Sequence, residues 1–425
     1  MFFYKFFTSI YYFVIRIAAV SNMKAKLMIS GRKNWQKKLS KAILPNEKYI
    51  WIHAASLGEF EQGRPLIEKI KNENPENKIL LSFFSSSGYE IQKNYNLADV
   101  VCYLPFDTKK NAKKFIEIVN PIMAVFVKYE FWCYYINEIS AKNIPLFLIS
   151  GIFKENQIFF KSYGKFYLNA IKKFTYFFLQ NEESQQILAK NGITNTLVCG
   201  DTRIDRVSTI SKEYYENMFF EKFAEQKTTI ICGSTWAEDE KIILQFINNY
   251  SEYFNFIIVP HEISEKKINN LTEKLKNFCI KFSEIEKIDY SKHNIIIVDC
   301  IGLLSKLYRY GTVAYIGGGF GKGIHNTLEA AVYKIPIIFG PKYEKFQEAG
   351  DLIKTGAGFS INNYTQFQDT ISMLMSDETN YQNIQSSLEK YFSNSLGATE
   401  KIYEKIDVRV KSREPSGRTI NGRMD

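Results

Sequence analysis

Four histidines and six cysteines are few for a chain of 425 residues, and they are scattered. Cys102, Cys133, Cys199, Cys232, Cys279 and Cys300 form no C-x-x-C and no Cys/His cluster, which speaks against a zinc framework or a disulfide scaffold and fits a reducing compartment. Several fall in or beside apolar runs, where cysteine behaves as a small hydrophobe. No long Arg/Lys run precedes the tail. The net charge of +10 is therefore scattered lysine on helical faces, which points away from nucleic acid and toward an anionic substrate and an acidic membrane surface. Neither G-x-G-x-x-G nor G-x-x-x-x-G-K-[ST] occurs with correct spacing, so the standard dinucleotide and P-loop fingerprints are missing.

A hydrophobic content of 45% with 24% charged residues is that of a folded protein, and the length favours two cores over one. Residues 1–20 are apolar and aromatic but interrupted by Lys5 and Arg16. The uncharged run Phe6 to Ile15 is short of the roughly 20 residues of a membrane span. With Lys24, Lys26, Arg32, Lys33, Lys37, Lys38 and Lys41 following, residues 1–40 read as an anchor lying in the interface over anionic lipid. A secretory signal competes, because Ala19-Val20-Ser21 resembles a cleavage site, although Arg16 breaks its apolar core.

Short strands alternating with amphipathic helices follow. Strands are expected at Tyr49–His53, Ile79–Phe83, Val100–Leu104, Ile122–Val127, Leu146–Ser150, Tyr176–Gln180 and Thr196–Gly200. They resume at Thr228–Cys232, Phe256–Val259, Asn294–Asp299, Thr312–Ile316 and Ile335–Phe339. This is the β-α repetition of parallel sheets, and it predicts an α/β protein of two doubly wound, Rossmann-like domains with a cleft between their C-terminal strand edges. Residues 41–206 form the first domain and 228–407 the second, with 207–227 as a polar interdomain segment. Residues 408–425 read as a disordered tail.

The stretch Trp51 to Pro65 is a strand, a break over Ala54-Ala55-Ser56, and a helix. Ser56 and Glu59 have capping-box spacing, so Glu59 is either a cap or a catalyst at a ligand-binding crevice. Thr235 and Glu238 repeat that spacing after the strand ending at Cys232. Gly317-Gly318-Gly319 lets backbone approach a ligand, and Asn326 is positioned to cap a new helix with Glu329 three residues on. The turns at Pro260-His261 and Ile301-Gly302-Leu303 point to the same edge. His261 is a phosphate contact or a turn cap, His325 reads as structural, and His293 as a loop histidine.

In order, His53-Ala-Ala-Ser-Leu-Gly-Glu59, Gly233-Ser234-Thr235, Val259-Pro260, Gly317-Gly318-Gly319 and His325-Asn-Thr-Leu-Glu329 resemble the 3-deoxy-D-manno-octulosonic acid (Kdo) transferases, GT-B glycosyltransferases of lipopolysaccharide assembly. The resemblance spans about residues 20 to 400. It implies inverting transfer of Kdo from CMP-Kdo to a lipid A precursor, with no cofactor or metal, at the inner (cytoplasmic) membrane with catalytic domains facing the cytoplasm. It puts the catalytic base on Glu59, with Ser56, Gly58 and Glu130 on the acceptor side. Donor contacts fall on Ser234, Thr235, Pro260, His261, Ile301, Gly302, Leu303, Gly318, Gly319, Asn326, Thr327, Leu328 and Glu329. Four positions depart from the family pattern: His261 replaces Arg, Leu303 replaces Glu, Thr327 replaces Pro, and Trp236 stands where His is usual. A GT-B enzyme using a UDP-sugar and a non-catalytic nucleotide-binding module are the competing readings.

Overall fold

A computed structural model describes residues 2–275, 279–287 and 293–411. The chain divides into two compact units, one from Met1–Asp205 with Gly397–Asp425, the other Arg206–Leu396. In the first, strands β1 (Tyr49–Ala54), β2 (Lys78–Phe83), β3 (Val100–Tyr103), β4 (Met123–Val127), β5 (Leu146–Gly151), β6 (Tyr176–Leu179) and β7 (Thr196–Val198) make one sheet of order β3-β2-β1-β4-β5-β6-β7. In the second, β8 (Thr229–Thr235), β9 (Asn255–Pro260), β10 (Cys279–Lys281), β11 (Ile295–Ile297), β12 (Val313–Ile316), β13 (Ile337–Phe339) and β14 (Gly358–Ser360) run in order β10-β11-β9-β8-β12-β13-β14. Both sheets are parallel throughout the described pairings.

Why both sides of such a sheet carry helices is visible in β1, whose six residues are all buried. Tyr49 and Trp51 join one cluster, with Trp51 against Phe115, Phe126 and Tyr135. Ile50, Ile52 and Ala54 point the other way into a second cluster with Phe60, Leu66 and Ile67. The period of two sends alternate side chains to opposite faces, and neither face can be left wet.

The sequence reading is corrected in four places. The last helix, Ala398–Lys411, belongs to the first unit and not to a domain ending at residue 407. Its stripe Ala398, Ile402 and Ile406 lies in the same cluster as Ile50 and Ile52. That helix also continues through Lys411, so residues 408–411 of the expected tail are helical, and residues 412–425 lie outside the described ones. The segment 207–227 is not a linker: helix Met218–Gln226 buries Phe220 and Phe223, and Phe220 stacks on Phe282 and Tyr310 of the second unit. Strands β10 and β14 were not anticipated.

Three helices precede β1: α1 (Phe2–Ala18), α2 (Met23–Gly31) and α3 (Trp35–Ala42). Helix α1 docks by one face only. Tyr4, Tyr12 and Ile15 are buried, whereas Phe6, Phe7, Phe13, Val14 and Ile17 are exposed. The dock is polar at its centre. Tyr4 donates its hydroxyl to Asp107, Asp107 N–H donates to the Tyr12 hydroxyl at 2.7 Å, and the Tyr134 and Tyr135 N–H groups donate to the Asp107 carboxylate. Among the described residues no single helix is long and apolar enough to cross a membrane; Tyr4–Ala18 and Met23–Gly31 pass that test only as a pair bent by 118°.

Candidate active site

In an open parallel sheet, ligands gather beyond the strand ends where the winding reverses. That point is β1/β4 in the first unit and β8/β12 in the second.

At the first switch point, β1 leads through Ala55 and Ser56 into helix α4 (Leu57–Glu73), with Glu59 in its first turn. Only half of the expected capping box forms, with the Ser56 N–H bonded to the Glu59 carboxylate. Ser56 is the N-cap residue, yet its hydroxyl makes no cap bond and instead donates to Glu59 Oε2 at 2.8 Å. The serine thus holds the carboxylate and leaves a helix N–H without it. Glu59 is half-buried, and its carboxyl is pushed above the ordinary range, first by burial and then by the Glu130 charge. Gly58 is not demanded by packing, since a Cβ there would meet open space.

Glu130 follows β4 and is nearly buried. Its Oε2 accepts from Trp132 Nε1 at 2.5 Å and lies 3.1 Å from Nε2 of the wholly buried His53. The other ring nitrogen of His53 lies 2.9 Å from Ser82 Oγ, which also accepts from Trp51 Nε1 at 2.8 Å. Sequence reading named Glu130 but not its partner His53, nor Lys128, which the charges place beside Glu59 as a stabiliser of its anion. Lys128 stands at φ +61°, a conformation costly for a residue with a Cβ.

The second switch point carries the same kind of outlier: Ser234, at φ +55°, sits where β8 shifts register against β9. Here too the expected box is replaced. Helix Ala237–Tyr250 is capped at Trp236, whose N–H donates to Asp239 at 2.9 Å, and Glu238 is exposed. Thr235, nearly buried, donates to Glu240 at 3.4 Å instead. Asp239 was not singled out from the sequence, yet it is fully buried and ties the turn to the glycine loop. It accepts from Tyr315 Oη and from Gly318 N–H, each at 2.8 Å. Burial raises its carboxyl pKa, and these donors oppose the rise. Gly318 is at φ +93°, and a Cβ on Gly319 would come within 2.6 Å of the Gly340 backbone, so both need to be glycine.

Three rings stack at this edge. His261 lies 4.6 Å from Trp236 and 4.2 Å from His325 between ring centres, and Trp236 Nε1 donates to His325 Nε2 at 3.0 Å. Burial lowers both imidazole pKa values, that of His325 to about 4, with the His261 charge adding to the effect. Both rings are neutral at pH 7. Lys267 supplies a cation 5.2 Å over the Trp236 ring.

The remaining candidates separate. Asn326 accepts from Leu328 N–H at 3.1 Å and donates to Glu329 at 3.0 Å, while Thr327 is the N-cap residue of Leu328–Ala331. Leu328 and Pro260 are buried, so their side chains are core, and Thr327 Oγ1 is buried with no hydrogen-bond partner. Ile301 is almost fully exposed, Gly302 turns at φ +91°, and Leu303 starts the short helix Leu304–Leu307. None of these three joins the ring stack.

Residues 32–206 match the model of the 3-deoxy-D-manno-octulosonic-acid transferase family. A bifunctional glycosyltransferase/methyltransferase of Fusobacterium nucleatum is 28% identical over 360 residues, 82% of this chain and 56% of that protein, so the chain spans just over half its length. A 3-deoxy-D-manno-octulosonic acid transferase of Rickettsia prowazekii is 28% identical over 369 residues, 84% of this chain and 77% of that one. In fold alone, a UDP-GlcNAc 2-epimerase of Neisseria meningitidis superposes with a TM-score of 0.56 at 14% identity, over 86% of this chain and all of that one. With two doubly wound parallel-sheet units, a matched segment over residues 32–206 and relatives along most of its length, the chain is similar to the 3-deoxy-D-manno-octulosonic acid transferases.

Proposed function

We propose that the protein transfers Kdo from CMP-Kdo to a lipid A precursor, lipid IVA, with inversion at the anomeric carbon and Glu59 as general base. The observation that carries the reading is the Glu59 carboxylate: held by Ser56 at a sheet switch point, half-buried, and more basic than an ordinary glutamate. A base with a raised pKa takes a hydroxyl proton more readily near neutral pH. Lys128 favours its anion, and Glu130, fixed by His53 and Trp132, adds to the rise in basicity that burial causes.

The donor side falls to the second unit. Gly318 and Gly319 let backbone approach the nucleotide, and Ser234, Thr235, His261, Asn326 and Glu329 supply polar groups around them. Pro260, Leu328, Ile301, Gly302, Leu303 and Thr327 shape those turns. His261 in place of Arg gives up a permanent charge on the phosphate, and the neutral stack with Trp236 offers a flat surface and N–H donors instead. This chemistry calls on no metal: departing CMP is stabilised by backbone and side-chain donors. The exposed aromatic face of α1 and the lysines after it hold the enzyme on the cytoplasmic leaflet of the inner membrane, where a phosphorylated lipid acceptor lies.

Incubation with CMP-Kdo and tetraacylated lipid A precursor, followed by mass analysis of the lipid, tests the reaction. An unchanged lipid overturns the reading. A melting-temperature rise with UDP but not CMP would assign the donor site to a UDP-sugar.

A further inference from the structure

Among the N-terminal helices lies a cavity of about 500 Å³ whose lining includes none of the candidate site residues. Its size falls in the roughly 300–1,000 Å³ range of small-molecule sites. Arg16 from α1, Lys26 from α2, and Arg32 and Lys33 from the following turn line it, and no acidic residue does. Among the described residues none of these four cations pairs with a carboxylate. Most of the surface facing the cavity is apolar, with Trp35 and Phe106 in its wall.

Arg32 is the unusual member, 6% exposed in a protein whose other cations are mostly at the surface. The carbonyls of Met28, Phe84 and Leu104 accept from it at 2.9, 2.6 and 2.7 Å. The rings of Phe84, Tyr103 and Phe106 surround its guanidinium at 4.8, 4.9 and 4.7 Å. Carbonyls and rings orient a charge without neutralising it. Burial lowers its pKa only to about 10, so the charge persists at pH 7. A buried, oriented and unneutralised cation beside three more is costly unless an anion shares the site.

What lies next to the cavity says which anion. Phe6, Phe13, Ile17 and Val20 form one exposed stripe at heptad-like spacing, and Arg16 and Ala19 on the same stretch line the cavity wall. The ligand should therefore have an acyl part that follows the stripe and a compact anionic head. We propose that this cavity is a discrete site for the phosphate headgroup of one anionic glycerophospholipid of the bilayer, gripped by Arg32, Lys26, Lys33 and Arg16 while its chains run along α1. The cavity lining shares no residue with the Glu59, Lys128 and Glu130 group. The inference rests on the reading that α1 lies on a membrane, and it adds a stoichiometric lipid to what would otherwise be diffuse attraction.

The test uses the full chain and needs no transfer activity. Short-chain phosphatidylglycerol, kept below its micelle concentration, presents the headgroup with no surface potential, and binding is followed by Trp fluorescence and native mass spectrometry. One lipid per chain is expected. The exposed pair Lys26→Gln/Lys33→Gln should weaken binding by about tenfold or more, and the pair Lys24→Gln/Lys37→Gln, equal in charge but outside the cavity, by less than about twofold. Phosphatidylcholine of the same chain length and inorganic phosphate should each bind at least about tenfold more weakly. Equal losses from the two lysine pairs, or phosphate binding as tightly as the lipid, overturn the proposal. So does saturation by lipid IVA with none by phosphatidylglycerol. Failure of the full chain to sediment with phosphatidylglycerol vesicles would instead overturn the membrane reading on which the inference rests.

Discussion

The two units share one topology and nearly opposite chemistry. Each has a seven-stranded parallel sheet whose winding reverses beside its first strand, and each puts a non-glycine residue in a left-handed conformation at that point, Lys128 in one and Ser234 in the other. Around β1/β4 the groups are carboxylates: Glu59 held by Ser56, and Glu130 held by His53 and Trp132. Around β8/β12, among the described residues, the buried carboxylate is Asp239, tied to Tyr315, Trp236 and Gly318, and with it stand glycine backbone, two neutral imidazoles, the half-buried Glu240 and Glu329 and the Lys267 cation. The same fold thus carries two acidic side chains at one edge and stacked rings with glycine backbone at the other.

The largest effect separating them should come from Glu59→Gln. Glutamine keeps the shape and can still accept from Ser56 but takes no proton, so turnover should fall by about 10²- to 10⁴-fold. The rise in melting temperature caused by CMP should persist, because it reports the second unit; near-normal turnover in the variant would remove Glu59 from the mechanism. Next, Asp239→Asn places donors opposite the donors of Tyr315, Trp236 and Gly318. A loss of about 3 kcal/mol is expected, or roughly 6–12 °C in the melting of a unit of this size, together with loss of the CMP-induced shift. A calorimetric scan that leaves the second unit's transition in place would show that Asp239 does not hold that edge together.

A smaller contrast is in acid. His325 has a folded pKa of about 4 against 6.5 unfolded. Neutral His325 contributes its full stability above the unfolded value, and that contribution is lost as pH falls from 6.5 toward 4. Allowing for its partial exposure, the loss is about 1–2 kcal/mol. Urea midpoints measured across that range should drop less in His325→Gln. The smallest expected effect is a shift in position: Glu130→Gln removes the charge that raises Glu59, so the acidic limb of the pH–rate profile should move to lower pH. A limb that stays put, or rises, would separate Glu130 from the basicity of Glu59.

Much of the architecture could be read from the sequence, because most strands are runs of branched and aromatic residues buried on both faces, as in Tyr49–Ala54. Strands β10 (Cys-Ile-Lys) and β14 (Gly-Phe-Ser) escaped because each carries a single branched or aromatic residue and so shows no apolar run, unlike the equally short edge strand β7 (Thr-Leu-Val). The helix starts were located, with Ser56 the N-cap as expected and the second cap one residue later than expected, on Trp236. Ser56-x-x-Glu59 and Thr235-x-x-Glu238 match the box pattern, but spacing does not say which acceptor wins, and in the structure Ser56 binds a carboxylate while Asp239 takes the Trp236 N–H. Among Glu238, Asp239 and Glu240 only tertiary packing distinguishes the buried one. The His53–Glu130 pair spans 77 positions, a separation at which no local pattern survives.

Asp205 accepts from the N–H groups of Gly397 and Thr399 at 2.7 and 2.6 Å, fastening the last residue before one crossing of the chain to the first residues after the other. The second unit is therefore an insertion within the first, with its two ends stitched at one carboxylate. Deleting residues 206–396 and bridging Asp205 to Gly397 with a short linker would leave a single-domain protein whose cut ends already meet. A carboxy-terminal truncation at residue 397 would do the reverse, stripping Ile402 and Ile406 from the first unit's core while sparing the second. The route to a minimal module runs through the middle of the gene and not through its end.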